Sequence, residues 1–377
     1  MNTKSIIFAG GGTAGHVNPL LATAKKIRSI APDAKIRVLG TSEGIEQRLI
    51  PEAGFELDFI PRAPLPRSLN MNAIKFPVRF LSGIIKCKRI FEEHRPAVLV
   101  GFGGFVSTPA YIAARQAHIP IIMHEQNASA GLANKLAAGW ADCIAITFPN
   151  TTLPHVEKQV LLGLPLREEI EDLANVVTDE KKRLELKRDA LKHFNLNPNK
   201  PTLLITGGSQ GAVIINKIVA VAAKKLTEEA QVIHLTGVGK SDSVLAELAK
   251  NGVDLAKYKV FEYLDSVQKA FIAADLAVSR SGAGAVSEMS ALLLPAAYIP
   301  FIVGNGEQKL NLAESESVGG SFSLDQHNLS PKWFLETVLP LMKNADELAK
   351  MRDGLRKIQR VNAADEFAKL ILERVNG

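Results

Sequence analysis

Two glycine-rich segments hold the residue types most able to do chemistry: Gly10-Gly11-Gly12-Thr13-Ala14-Gly15-His16 and, far downstream, Gly207-Gly208-Ser209-Gln210-Gly211-Ala212. Each closes a short apolar run and opens a helix-like one. His16 would stand at a helix amino end, where the dipole favours the neutral imidazole, a form able to take up a proton. A capping or loop-packing histidine is the alternative. The second segment would leave backbone N–H groups free at a helix start, an arrangement that binds phosphate. About half a positive charge there would offset charge growing on a diphosphate leaving group without a metal. A tight turn with nothing bound is the other reading of that loop. No Asp-x-Asp pair or histidine-rich cluster offers a metal site, and no cofactor is expected.

Gly10-x-Gly12-x-x-Gly15 also spells a dinucleotide fingerprint. That cofactor would want an acidic residue ending the second strand, whereas Leu39-Gly40-Thr41-Ser42 intervenes before Glu43. Two further segments end expected strands. His124-Glu125-Gln126-Asn127 follows Ile119-Pro120-Ile121-Ile122-Met123 and offers hydrogen-bond partners to a hydroxylated ligand. Ser279-Arg280-Ser281-Gly282-Ala283-Gly284-Ala285-Val286-Ser287-Glu288 enters a helix through small residues, with Glu288 able to accept two hydroxyl hydrogen bonds. A glutamate on a helix is otherwise an ordinary solvated group.

The elements that position these groups alternate. In the first half the expected strands are 5–9, 35–39, 56–60, 97–100, 119–123 and 142–146, and the helices 16–30, 43–53, 77–94, 108–117 and 130–138. In the second half the strands are 202–206, 231–235, 258–261, 275–278 and 296–299, and the helices 211–225, 241–250, 266–273 and 282–292. This is an α/β pattern of parallel sheets. The 377 residues exceed one typical core, so two domains are expected, 1–163 and 164–343, with a terminal helix of about 344–374 packing back on the first. The junction falls near Gly163-Leu164-Pro165. With 46% hydrophobic and 22% charged residues the chain is globular throughout. Its apolar stretches fall short of the ~18 residues of a membrane span, and Met1-Asn2-Thr3-Lys4 leads into a strand rather than a signal peptide, so a cytosolic protein is expected. Cys87 and Cys143 are the only cysteines and read as packing residues.

Taken together, Gly-Gly-Thr-x-Gly-His at 11–16, Gly103-Gly104-Phe105-Val106-Ser107, His124-Glu125-Gln126-Asn127, Gly163-x-Pro165-x-Arg167, the 207–212 loop, Arg280-Ser281-Gly282-Ala283 and Gly304-Asn305-Gly306-Glu307-Gln308-x-x-Asn311 resemble the MurG family. These are the peptidoglycan N-acetylglucosaminyltransferases that make lipid II. The resemblance implies an inverting, metal-independent glycosyltransferase of the GT-B fold, two Rossmann-like domains with parallel sheets facing a central cleft, on the cytoplasmic face of the cell membrane. It implies UDP-N-acetylglucosamine (UDP-GlcNAc) as donor and lipid I as acceptor. A UDP-GlcNAc 2-epimerase or another GT-B transferase is the alternative. By resemblance His16 is the base. Ser209 meets the diphosphate, Leu264 the uracil, Ala283, Gly284, Ala285, Val286, Ser287 and Glu288 the ribose and phosphate, and Gln308 and Asn127 the sugar. Arg167 comes from the junction, and Thr13, Ala14 and Gly15 belong to the substrate site on the acceptor side. Ala14 stands where the family usually has glycine, Phe105 replaces a tyrosine and Leu312 a small residue.

The net charge of +6 is concentrated between Pro61 and Arg95, where eight basic residues (Arg62, Arg67, Lys75, Arg79, Lys86, Lys88, Arg89, Arg95) face two acidic ones. A local anionic partner is implied, nucleic acid or an acidic lipid surface. The segment has Phe76, Phe80 and Phe91 but no stacking pattern of an RNA reader, so no nucleic acid is expected. In a helix starting at Pro77, Arg79, Lys86 and Arg89 fall within about 80°. Phe80, Cys87 and Phe91 would pack inward, while Ile74, Val78, Leu81 and Ile84 touch anionic inner-leaflet lipids beside Arg79 and Lys88. A wholly buried apolar arc is the competing reading. Other cell-wall synthesis proteins are further expected partners.

Overall fold

The computed structural model describes residues 5–64, 71–208, 210–301 and 306–376. Met1–Lys4, Arg67, Ser209 and the Gly304-Asn305 pair, all named above, lie outside the described residues. The chain divides into two compact units, 1–167 with 362–377, and 168–361.

The first unit is built on seven strands: β1 (Ser5–Ala9), β2 (Lys35–Gly40), β3 (Glu56–Phe59), β4 (Val98–Gly101), β5 (Ile121–Glu125), β6 (Cys143–Ile146) and β7 (Gln159–Leu161). They form one parallel sheet in the order β3-β2-β1-β4-β5-β6-β7. Side-chain alternation feeds two cores. Ile7 and Ala9 meet Cys87, Ile90 and Phe91 of the helix Met71–His94 and Val106 and Tyr111 of the helix Gly104–Gln116. Ile6 and Phe8 meet Val17, Leu20 and Ile27 of the helix Ala14–Ile30, together with Phe367 and Ile371 of the terminal helix Ala363–Asn376.

The second unit repeats the plan with β8 (Thr202–Thr206), β9 (Gln231–Leu235), β10 (Tyr258–Phe261), β11 (Leu276–Ser279), β12 (Ala296–Tyr298) and β13 (Ser321–Ser323), parallel in the order β10-β9-β8-β11-β12-β13. In both sheets the strand order reverses once at the centre, between β1 and β4 and between β8 and β11. Such a switch point opens a crevice at the strands' carboxyl ends. All four loops singled out for small-residue turns follow these four strands.

Several element ends shift by a few residues from the expected ones, and three differences change the layout. The stretch 344–374 is two helices, not one. Ala345–Arg356 belongs to the second unit, where Leu348 and Met351 join the core and a Cβ on Gly354 would sit 2.2 Å from the Val318 carbonyl oxygen. Past it, Gln359 donates to the Ala174 and Ala291 carbonyls and Arg360 holds Glu314 with two bonds of 2.6 and 2.7 Å, so the chain re-enters the first unit only at Asn362. The first junction lies at Arg167 rather than Gly163. Finally, the basic helix starts at Met71 with Pro77 inside it, one missing N–H being tolerated where Cys87, Ile90 and Phe91 anchor the rest.

Candidate active-site loops and family

In the first unit, β1 runs into Gly10–Gly12 and the helix Ala14–Ile30 begins at once. Thr13 is the N-cap by backbone, extended at φ −141°, but its side chain caps nothing. Its Oγ1 instead lies 3.0 Å from His16 Nδ1. The half-buried imidazole is held below its ordinary value of 6.5 by desolvation, which the charge of Glu46 opposes. His16 is therefore neutral at pH 7. In the tautomer whose Nδ1–H donates to Thr13 Oγ1, the Nε2 lone pair is the one left to accept a proton. Gly104, at φ +78°, brings the helix after β4 close: a Cβ there would lie 3.1 Å from the Gly11 oxygen and 3.6 Å from His16 Cε1. Ser107 Oγ ties that helix back to β1 through the Ala9 carbonyl at 2.9 Å.

The polar run ending β5 is mostly structural. His124 Nε2 donates to the Gly163 carbonyl at 2.9 Å, and Gln126 lies 3.3 Å from its Nδ1. Glu125 accepts from Asn127 N, Gly131 N and Asn134 Nδ2 at 2.9–3.0 Å, and burial pushes its pKa up. Of the four residues expected to meet a ligand, only Asn127 is not fully buried.

In the second unit the 207–212 loop is pinned from below. Gly211 adopts φ +67°, and a Cβ on it would sit 1.9 Å from the Thr236 carbonyl oxygen. That same carbonyl accepts Asn216 Nδ2 at 2.9 Å, Asn216 Oδ1 lies 3.0 Å from His234 Nε2, and His234 Nδ1 lies 2.9 Å from Tyr258 Oη. The buried His234 is pushed down by desolvation to about 3 and serves as a neutral strut. After β11 the helix Ala283–Ala291 starts with Gly282 as an extended N-cap. A Cβ on Gly282 or Gly284 would meet nothing within 4 Å, and Ser281 Oγ, fully buried, finds no hydrogen-bond partner among the described residues. Open space, a helix amino end and an orphan hydroxyl together suit an anionic group. Ala285, Ser287 and Glu288 on this helix are half-buried, and Ala283 and Val286 buried. Leu264 is half-buried in the loop after β10, and Gln308 spends its Oε1 on Phe301 N at 2.9 Å.

Two models of glycosyltransferase family 28 match the chain, its N-terminal domain over residues 6–146 and its C-terminal domain over 202–371. A UDP-N-acetylglucosamine–N-acetylmuramyl-(pentapeptide) pyrophosphoryl-undecaprenol N-acetylglucosamine transferase of Bifidobacterium adolescentis is 42% identical, over 100% of this chain and 98% of its own. One of the same name from Clavibacter sepedonicus is 41% identical over 98% and 96%. The crystal structure of Acinetobacter baumannii MurG, 26% identical, covers 98% of this chain and 99% of that one with a TM-score of 0.76. The chain belongs to the MurG family. Its fold class is α/β of the GT-B kind, and its enzyme class hexosyltransferase.

On the basic helix of this MurG-family chain, Ile74, Val78 and Leu81 are exposed at 71%, 72% and 58%. Ile84 corrects the expected stripe: it packs on the core with Cys87 and Phe91, three and seven residues on, and Ile85 is the exposed residue instead, at 52%. Arg79 is exposed and Lys88 half-buried. Val78, Leu81, Lys86 and Arg89 line an open groove of about 750 Å³ with Phe59 and Pro61. Among the described residues no helix is long and apolar enough to cross a membrane, and no group of three metal-ligating side chains occurs. Ala14 and Arg167 are half-buried and Thr13 and Gly15 exposed. Glu46 escaped the sequence reading. An acidic residue opening a helix ordinarily complements the dipole at the surface, so nothing in its spacing marked it.

Proposed function

We propose that this chain transfers N-acetylglucosamine from UDP-GlcNAc to the C4 hydroxyl of the N-acetylmuramoyl residue of lipid I, forming lipid II. The observation that carries the reading is the 42% identity to a transferase of that name over the full chain. His16 Nε2 takes the C4 hydroxyl proton as the oxygen attacks the anomeric carbon from the face opposite UDP. An α-linked donor thereby gives a β-1,4 product. The bond to UDP breaks, and its diphosphate is met by the Gly207–Gly211 loop with Ser209 and by the amino end of the 283–291 helix, whose partial positive charge does the work a metal does elsewhere. Glu288 takes the ribose hydroxyls, Leu264 the uracil, and Gln308 and Asn127 the sugar. Arg167 completes this set, and Thr13, Ala14 and Gly15 line the acceptor's diphosphate.

The acceptor is a lipid, and the helix Met71–His94 supplies the matching surface. Ile74, Val78, Leu81 and Ile85 enter the acyl boundary while Arg79, Lys86, Lys88 and Arg89 meet anionic headgroups. Each apolar side chain contributes up to about 1.5–3 kcal/mol if fully buried, and each cation about 1 kcal/mol near an anionic surface. That sum supports peripheral attachment at the cytoplasmic face, in the company of other cell-wall synthesis proteins. Incubation of the protein with UDP-GlcNAc and a lipid I analogue is expected to release UDP and a β-1,4 disaccharide lipid. Absence of that product, with a competent control enzyme active in parallel, would overturn the reading.

A further inference from the structure

Glu46 is a buried carboxylate for which the transfer chemistry above has no use. It opens the helix Glu46–Glu52, and its side chain is fully inaccessible to solvent. Rather than facing water it turns under the first glycine loop. Oε2 accepts Gly12 N at 2.9 Å, and Oε1 accepts Thr41 N at 3.0 Å and Thr41 Oγ1 at 2.9 Å. Three glycines make room for it. A Cβ on Gly11 would lie 2.7 Å from Oε1, one on Gly44 2.0 Å from Oε2, and one on Gly40 2.7 Å from its Cγ. Burying a carboxylate is costly, and its three hydrogen bonds offset that cost. A loop that needed only to turn would be served by water at far lower cost. The charge has a second neighbour. Among the described residues, Glu46 is the charged group whose field opposes the desolvation of the His16 imidazole, which also lies 3.0 Å from Thr13 Oγ1.

We propose that Glu46 is a positioning residue for the transfer: it clamps the Gly11–Gly12 turn from which His16 is presented, and its negative charge stabilises the imidazolium formed when His16 takes the acceptor proton. This rests on the reading of His16 as the base. The clamp fixes the loop between β1 and the 14–30 helix, so the imidazole meets the acceptor oxygen without a loop rearrangement. The step balances without a further group: the proton moves from the C4 hydroxyl to His16 Nε2, the oxygen's electron pair forms the new glycosidic bond, and UDP leaves with the old one.

The test uses the full chain, UDP-GlcNAc and a soluble lipid I analogue, with kcat followed from pH 5 to 9. Glu46→Gln keeps the size and removes the charge. It is expected to lower kcat about 10- to 100-fold and to move the acid limb of the profile to lower pH, with donor KM within about twofold of the parent. A purely structural carboxylate would leave the acid limb where it is. Glu46→Asp keeps the charge but withdraws it from Gly12. It should lower kcat while shifting the acid limb less than Gln does, and it decides the matter where the Gln variant does not fold by circular dichroism. Parent-like kcat and acid limb in a folded Gln variant, or parent-like kcat in the Asp variant, overturns the proposal. His16→Ala, measured alongside, separates the two readings. If it retains kcat the base assignment itself fails; if it loses kcat while both Glu46 variants keep theirs, only the role of Glu46 fails.

Discussion

A few neighbouring atoms set the state of the His16 imidazole. The Thr13 side chain makes no helix cap; its Oγ1 lies 3.0 Å from Nδ1 and accepts there when Nδ1 carries the ring proton, and desolvation holds the imidazole below its ordinary value. A general base typically supplies about 10² to 10⁴-fold, so His16→Ala should lose that much of kcat while the affinity for UDP-GlcNAc, measured by calorimetry, changes little. A near-parental kcat would hand the role to solvent or another group. The first loop was legible as a turn into a helix from its glycines, while His16 read equally as a base or as a capping or packing residue. Glu46 was not legible, since a carboxylate in a first helical turn looks the same in sequence whether it faces water or folds under a loop.

At the scale of elements, strands buried on both faces wrote apolar runs, 6–9 in β1 and 203–205 in β8, which is why both stand where the sequence put them, while β9 stands there although Gln231 and His234 interrupt its apolar residues. The edge strands β7 and β13 did not, being three residues each with partly exposed side chains and a single neighbour. The basic helix shows the limit of a wheel read alone. Ile84 and Ile85 are adjacent and chemically identical, and only the register against Cys87 and Phe91 separates them. Leu81→Glu and Ile85→Glu are therefore expected to weaken binding to anionic vesicles in a sedimentation assay while sparing turnover of a soluble acceptor analogue. Ile84→Glu should instead lower the thermal midpoint, because it sets a charge against the core that the half-buried Ile84 packs on. In the other unit, Gly211→Ala places a Cβ 1.9 Å from the Thr236 carbonyl in a positive-φ position, and should weaken donor binding about tenfold or more by titration calorimetry. Unchanged affinity would detach that loop from the donor.

Across the whole molecule each unit carries a buried neutral imidazole, His124 pushed to about 4 by desolvation, against the bond to the Gly163 carbonyl, and His234 pushed to about 3. Both ordinarily titrate at 6.5. The unfolded chain takes protons near 6.5 that the folded one refuses until about 4 or 3, so these groups contribute stability above 6.5 that is lost as pH falls. Glu125, raised by burial, works in the opposite sense at lower pH. The thermal midpoint should therefore drop between about pH 6.5 and 5, and His234→Gln should flatten that slope. A slope identical to the parent's would contradict it. The two-unit plan was legible in the alternation of strands and helices, whereas the return of the chain at Asn362 was decided by Gly354 packing on the Val318 carbonyl, a contact no periodicity encodes. Transfer to a single hydroxyl makes UDP release depend on that hydroxyl, which is read by measuring release with the N-acetylmuramoyl diphospholipid, with its 4-deoxy analogue and without acceptor. Release should occur only with the intact acceptor; release at comparable rates in the other two mixtures would rule out transfer to the C4 hydroxyl.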